Sequence, residues 1–367
     1  MKLECSVEKI KEAISKAEKI TSKNSTLDSL KSILIIASGK SLKIRSTNLS
    51  LGLEIEIPAK IEKEGELIVN GEVFNNFLIN LPSIEDKILN IENIGGNLHI
   101  SNKRTKTIIK TAGTEDFPTI PIVEGKSFNI DIEKFLEGIK SVFYSSAITD
   151  IKPEISSVYI YNQDKDLYFV STDSFRLAEK NIKIKNLEDI DSIIIPYKNI
   201  LEIIRLFSDI KGEMTVFYNK NQISFVLPSF YLTSRIIDGV FPDYRQIVPK
   251  SHKTRAIILK KDLIDAIKIS NIFSDKFNQV KISVSPKNKK MEVYAVNNDI
   301  GENKTVLGGA FEGEDIEMNF NYRYVLECFQ SIKEDSIVLD FTETNKPVVL
   351  KGNGDNSFTY LIMPMNR

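Results

Sequence analysis

Three tandem copies of one α+β unit, each with two helices and two sheets, form the fold class that this sequence predicts, and three observations carry the prediction. The chain has 367 residues, too many for one ordinary core and enough for two or three domains. The segment Phe241-Pro242-Asp243-Tyr244-Arg245-Gln246-Ile247-Val248-Pro249 has a weaker copy, Phe117-Pro118-Thr119-Ile120-Pro121-Ile122, 124 residues earlier. Helical apolar patterns begin near residues 7, 131 and 259, and a second set near 70, 196 and 321, so the spacings are 124, 128, 126 and 125. Prolines force extended backbone on the two Phe-Pro segments, which read as tethers between units. The expected domains are 1–122, 123–250 and 251–367.

In the first copy Val7, Ile10, Ile14, Ala17 and Ile20 recur at helical spacing with charged residues between them. Strand-like runs follow at 33–37, 42–45 and 51–57, punctuated by Ser38-Gly39 and ended by Pro58. Val73, Phe74, Phe77, Leu78 and Leu81 mark the buried stripe of a second helix, and strands follow at 88–91, 98–101 and 105–111. The second copy repeats this order. Ile132, Phe135, Leu136, Ile139, Val142 and Phe143 lie on its first helix; Ile200, Leu201, Ile204 and Phe207 lie on its second, with Pro196 in the first turn, where no amide donor is needed. The third copy uses Leu263, Ile264, Ile267, Ile269 and Phe273, then Tyr322, Val325, Leu326, Phe329 and Ile332.

Apolar residues at 42% and charged residues at 27% describe a globular chain without a disordered tail. Cys5 and Cys328 stand alone, which argues against a disulfide framework or a zinc site and suits a reducing cytoplasm. The amino terminus lacks the apolar core of a signal peptide, and no run approaches the roughly 20 apolar residues of a membrane span. The 49 basic and 50 acidic side chains argue against tight nucleic-acid binding over the whole surface, while a local basic lining stays open.

Enzyme signatures are missing, so no catalytic residue, cofactor or metal is expected. Gly308 to Gly313 has the glycine spacing of a phosphate loop, but Glu314 stands where lysine is needed. His99 and His252 have no nucleophile or ligand pattern nearby, and Asp173 reads as a turn residue capping backbone amides. Helix lysines such as Lys9, Lys16 and Lys268 are interleaved with Glu12, Glu18 and Asp265 and read as a solvated face, unless equivalent helices share one surface and gather them into a stripe for phosphates. The Met363-Pro364-Met365 ending has two open readings: a tail tucked into a core, or one wall of an adaptable apolar groove.

Taken together, the threefold repeat, Thr172-Asp173 with Arg176-Leu177-Ala178, Phe241-Pro242-Asp243-Tyr244-Arg245 and Met363-Pro364-Met365 resemble the bacterial sliding clamps, the beta subunits of DNA polymerase III. The resemblance spans the chain. It implies a non-enzymatic head-to-tail homodimer, a ring that encircles duplex DNA without sequence preference. It also implies a groove that tethers the polymerase III alpha subunit, the clamp loader and other proteins. By that similarity the groove comprises Ile155, Thr172, Ser174, Phe175, Arg176, Leu177, Pro242, Ile247, Phe277, Asn321, Tyr324, Pro347, Met363, Pro364 and Met365. Ser174-Phe175 departs from the family's frequent Gly-His, which restricts the turn and removes a polar handle. Lys23, Lys106, Lys198 and Arg205 are the implied DNA contacts. An edge strand near Thr105 to Thr111, meeting an edge beside the third domain's first helix, is the expected dimer contact, with Ile109, Ile272 and Phe273 its apolar members.

Elementary geometry agrees with a dimer. Twelve helices at about 10 Å each make a circle of roughly 120 Å with about 27 Å free inside, room for a duplex; six would leave about 8 Å, less than a major groove's width of roughly 12 Å. The alternative is a repeat scaffold that binds proteins only.

Overall fold

The computed structural model describes every residue except 23–24, 82–86, 113–116, 150, 185–188 and 366–367. The first copy runs β1 (Lys2–Ser6), α1 (Val7–Ile20), β2 (Ser32–Ser38), β3 (Ser41–Thr47), β4 (Leu51–Lys63), β5 (Gly65–Asn70), α2 (Gly71–Asn80), β6 (Ile88–Ile94), β7 (Asn97–Ser101) and β8 (Lys106–Ala112). The second runs β9 (Lys126–Asp131), α3 (Ile132–Val142), β10 (Ser157–Gln163), β11 (Asp166–Thr172), β12 (Arg176–Lys183), β13 (Ile193–Pro196), α4 (Tyr197–Phe207), β14 (Glu213–Tyr218), β15 (Gln222–Leu227) and β16 (Phe230–Arg235). The third runs β17 (Thr254–Leu259), α5 (Lys260–Asn271), β18 (Gln279–Ser285), β19 (Lys290–Asn297), β20 (Gly301–Leu307), β21 (Ala310–Gly313), β22 (Ile316–Asn321), α6 (Tyr322–Glu327), β23 (Ser336–Phe341), β24 (Val348–Gly352) and β25 (Phe358–Ile362).

Each helix follows a strand directly, twice per copy. Side chains at the joints favour this: Ser6 accepts the Lys9 amide to start α1, Asn70 accepts that of Val73 to start α2, and Asn321 accepts that of Arg323 to start α6. Helix α1 buries Ile10, Ala13, Ile14, Ala17 and Ile20 and packs on α2, β3 and β4. In α3, Gly138 lies so close to the Phe169 ring that an added methyl would overlap it. Two expected stripe positions face outward instead: Val73 in α2 and Ile269 in α5 are exposed, each at the margin of the helix's apolar arc. Pro196 ends β13 rather than entering α4, whose first residue is Tyr197.

Contacts divide the chain into two compact units: Met1–Ile132 with Leu201–Ile236, and Glu133–Ile200 with Ile237 onward. The reason is strand pairing across the tethers. In the first unit one sheet runs β1-β6-β7-β8-β5-β2-β3-β4-β16-β15-β14-β9, so β4 of the first copy pairs with β16 of the second. In the second unit the sheet β13-β10-β11-β12-β25-β24-β23-β17-β21 joins β12 of the second copy to β25 of the third, and β20-β19-β18-β22 forms a separate sheet.

The repeat is visible atom by atom at one turn. Thr47 Oγ1 accepts the Leu49 amide and donates to the Leu51 carbonyl, while Asn48 Oδ1 accepts the amides of Ser50 and Leu51. Thr172 Oγ1 accepts the Ser174 amide and donates to the Arg176 carbonyl, while Asp173 Oδ1 accepts the amides of Phe175 and Arg176. A third version, less complete, has Asn297 Oδ1 accepting the Asp299 amide. Residues 47, 172 and 297 are 125 apart in each step.

Candidate partner-binding groove

The site grows from the second of these turns, and all of it lies within the second unit. Asp173 caps two amides, as its turn position predicts, and the chain reverses at Ser174 with φ of 77°, a left-handed conformation that favours glycine. This turns the next side chain, Phe175, outward to 61% exposure and sends Arg176 inward to 8%. The Phe175 carbonyl then accepts the Met363 amide at 2.8 Å, and the Asn319 carbonyl accepts that of Met365 at 2.8 Å. Thus the tail bridges the turn and β22. Met363, Pro364 and Met365 are half-buried, between the two readings left open for the ending.

Arg176 is the hub beneath. Its guanidinium donates to Asp173 Oδ2 (2.9 Å), the Tyr144 carbonyl (2.6 Å) and Glu327, and covers the Tyr324 ring at 4.4 Å. The Tyr360 hydroxyl donates to the Tyr324 carbonyl (3.0 Å). Tyr144 and Tyr360 are pushed well above the ordinary phenol range, first of all by burial, so both remain neutral donors. Asn321 caps α6, and the Tyr322 amide donates to the Asn278 carbonyl, which ties that helix to the loop presenting Phe277.

The tether closes the other side. Phe241 stacks on Tyr159 with centroids 4.7 Å apart; Phe241 belongs to a core with Leu177, Tyr244 and Leu361, and half-buried Tyr159 packs against it. The Tyr244 hydroxyl donates to Glu179 and lies 2.7 Å from that of Tyr161. These contacts leave Pro242 and Ile247 exposed.

The predicted groove residues therefore take different parts. Phe175, Ser174, Pro242, Ile247 and Phe277 are exposed; Thr172, Arg176, Leu177 and Pro347 are buried and support them rather than standing open. Asn321 and Tyr324 are half-buried, as is Ile155, whose backbone bonds to Ala147 and Lys152. Tyr144, Glu179, Tyr244, Glu327 and Tyr360 hold the site together and were not among the expected groove residues. The Asp173-x-x-Arg176 spacing was a readable signal for one ion pair; nothing local announced Glu327, which lies 151 residues beyond Arg176.

Two of the expected DNA contacts share α4 and one lies on β8. Lys106 is exposed on β8, Lys198 is exposed in the first turn of α4, and Arg205 near that helix's end bonds Glu202 at 2.7 Å; Lys23 lies outside the described residues. Of the expected dimer contacts, Ile272 is exposed and Phe273 half-buried, but Ile109 faces the core at 7% exposure. The pleat instead turns its neighbour Ile108 outward at 61%. Among the described residues no group of side chains is arranged to hold a metal, and no helix is long and apolar enough to cross a membrane.

Helix-bearing repeats joined by tethers, with a tail-walled site at the second junction, define a three-domain α+β clamp. Residues 1–121, 129–243 and 245–366 match the N-terminal, central and C-terminal domains of the DNA polymerase III beta subunit. The chain belongs to that family, the bacterial sliding clamps, which are processivity factors and not enzymes. It is 26% identical over 370 residues to the beta sliding clamp of Rickettsia bellii, covering 96% of each chain. Its fold is similar to the DNA polymerase III beta subunit of Thermotoga maritima, with TM-score 0.93, 24% identity, and coverage of 100% of this chain and 99% of that one. It is also similar to a Pseudomonas aeruginosa sliding clamp bound to griselimycin, with TM-score 0.94, 22% identity and full coverage of both.

Proposed function

We propose that two copies of this chain close head to tail into a cytoplasmic ring of six domains, bounded at 1–122, 123–250 and 251–367, around duplex DNA. Lys106, Lys198 and Arg205, with Lys23, touch phosphates weakly and without sequence preference, which permits sliding. The groove holds short peptides of the polymerase III alpha subunit, the clamp loader and other DNA-processing proteins. Supporting the ring, β8 bonds along 106–110 only to β7 and β20 only to β19 among the described residues, so each presents an unpaired strand edge that a second copy can complete. Ile108 and Ile272 supply exposed apolar surface for it.

The observation that carries the groove is the tail: Met363 to Met365 bond to Phe175 and Asn319 beside outward-facing Phe175. Methionines and a proline there make an apolar wall that repacks around different anchors. Calorimetry with a peptide from the polymerase tests it. Removing residues 363–367 is expected to abolish binding while light scattering still reports a dimer; unchanged affinity overturns the assignment.

A further inference from the structure

The two tether junctions follow one plan and are filled differently. In the first, Arg45 pairs across strands with Glu54, and Glu54 with Tyr231; in the second, Val170 pairs with Glu179, and Glu179 with Thr359. Glu54 and Glu179 therefore occupy one place in the repeat. By the same registers Ile36 corresponds to Tyr161 and Lys43 to Tyr168, since each of these pairs faces across its hairpin.

At the second junction that place is full. Tyr161 stacks with Tyr159 and with Tyr168, each centroid 5.1 Å away; Arg245 lies 5.0 Å over the Tyr161 ring, and the Tyr244 hydroxyl donates to Glu179. At the first, aliphatic and cationic side chains stand where two of those rings would be. The tether brings Ile120, 124 residues before Tyr244; Ile120 packs against Gly52 and has no hydroxyl to offer Glu54. Tyr231 pins the tether from the strand side, accepting the Val123 amide and donating to the Pro121 carbonyl, each at 2.9 Å. A crevice of about 840 Å³ remains, lined among others by Ile120, Ile122, Phe217, Val226, Arg45 and Glu54. That volume lies within the range of ligand pockets, roughly 300–1,000 Å³.

We propose that this crevice is a second docking site, and that its occupant is a tyrosine side chain on an extended segment of a partner protein. The ring lies against Ile120, Phe217 and Val226, and the hydroxyl donates to Glu54 as Tyr244 does to Glu179. The Glu54 carboxylate bonds Arg45 at 2.5 Å and pairs with Lys43 at 3.5 Å, and an ionised carboxylate has further lone pairs for a phenol. The Arg45 guanidinium lines the same crevice, where a cation can meet the face of an aromatic ring.

The test uses the full-length protein labelled at isoleucine δ1 methyls, titrated with N-acetyl-tyrosinamide and, separately, N-acetyl-phenylalaninamide. The expected result is saturable shifts of the Ile120 and Ile122 methyls, with the phenylalanine compound about tenfold weaker, the effect of one hydrogen bond to a charged acceptor. Glu54→Ala should erase that preference. Ile120→Tyr should abolish binding, because an internal phenol then fills the crevice. No saturable shift at these methyls, or equal affinity for the two compounds, overturns the proposal. The wild-type comparison decides even if a variant fails to fold, and it is independent of peptide binding at the tail.

Discussion

The Arg176 guanidinium sits 4.4 Å above the centre of the Tyr324 ring while bonding Asp173, Glu327 and the Tyr144 carbonyl. One side chain thus joins the Ser174 turn, α6 and the residues just after α3. Arg176→Ala strips the partner from a mostly buried Asp173 and from a partly exposed Glu327. It should cost about 2–4 kcal/mol, below the full loss for a buried pair because Glu327 reaches solvent. Arg176→Lys should recover only part, since an ammonium lacks the planar fork. Chemical denaturation measures both; a loss under about 1 kcal/mol for alanine contradicts the hub role.

Ser174 holds φ of 77° without being glycine. The left-handed region costs a side-chain-bearing residue about 1–2 kcal/mol, whereas glycine's greater unfolded freedom costs roughly 0.5–1. Ser174→Gly should therefore stabilise the fold by about 0.5–1 kcal/mol in urea unfolding. A destabilised variant would mean that the serine contributes something the turn geometry does not reveal.

Burial holds the Glu179 carboxyl above its ordinary value near 4.5, although the Tyr244 hydroxyl and Arg245 act in the opposite direction. A carboxyl with a raised folded pKa binds more protons folded than unfolded, so stability falls as pH climbs from the unfolded value through the folded one. Glu179→Gln keeps an acceptor for Tyr244 and removes that fall. Its stability relative to wild type should grow from roughly pH 4 upward and level off above the folded pKa. Urea midpoints across pH check this, and a wild type that gains on the variant with rising pH reverses the sign and refutes it.

Introducing charge at the proposed strand edges separates protomers if the interface is placed correctly. Ile108→Asp and Ile272→Asp together should yield monomers in light scattering with unchanged circular dichroism, because both side chains are exposed in the single chain. Ile109→Asp should instead unfold the first unit, since that residue faces its core.

Much of this architecture was legible because local chemistry repeats. The apolar stripes of α1 and α3 and the tether prolines recur at nearly constant spacing, and each acts within a few residues of itself. Val73 and Ile269 misled because an apolar residue one step off a helix's buried arc has the same local pattern as one inside it. Ile109 misled for a related reason: a strand's facing alternates with period two, and Ile108-Ile109 is apolar on both phases. The groove's named surface came from resemblance; its supports came from pairing across long separations, such as Arg176 with Glu327 and Tyr244 with Glu179, which no single-segment pattern encodes.

Retention on circular DNA tests the central claim most directly. The protein is loaded by its clamp loader onto a nicked circular duplex, passed through gel filtration in high salt, and the DNA is then cut once by a restriction enzyme. A ring held by topology should co-elute with the circle in salt that screens phosphate contacts, and should run off after cutting. Equal retention on circular and linear DNA, or none on the circle, would contradict the account.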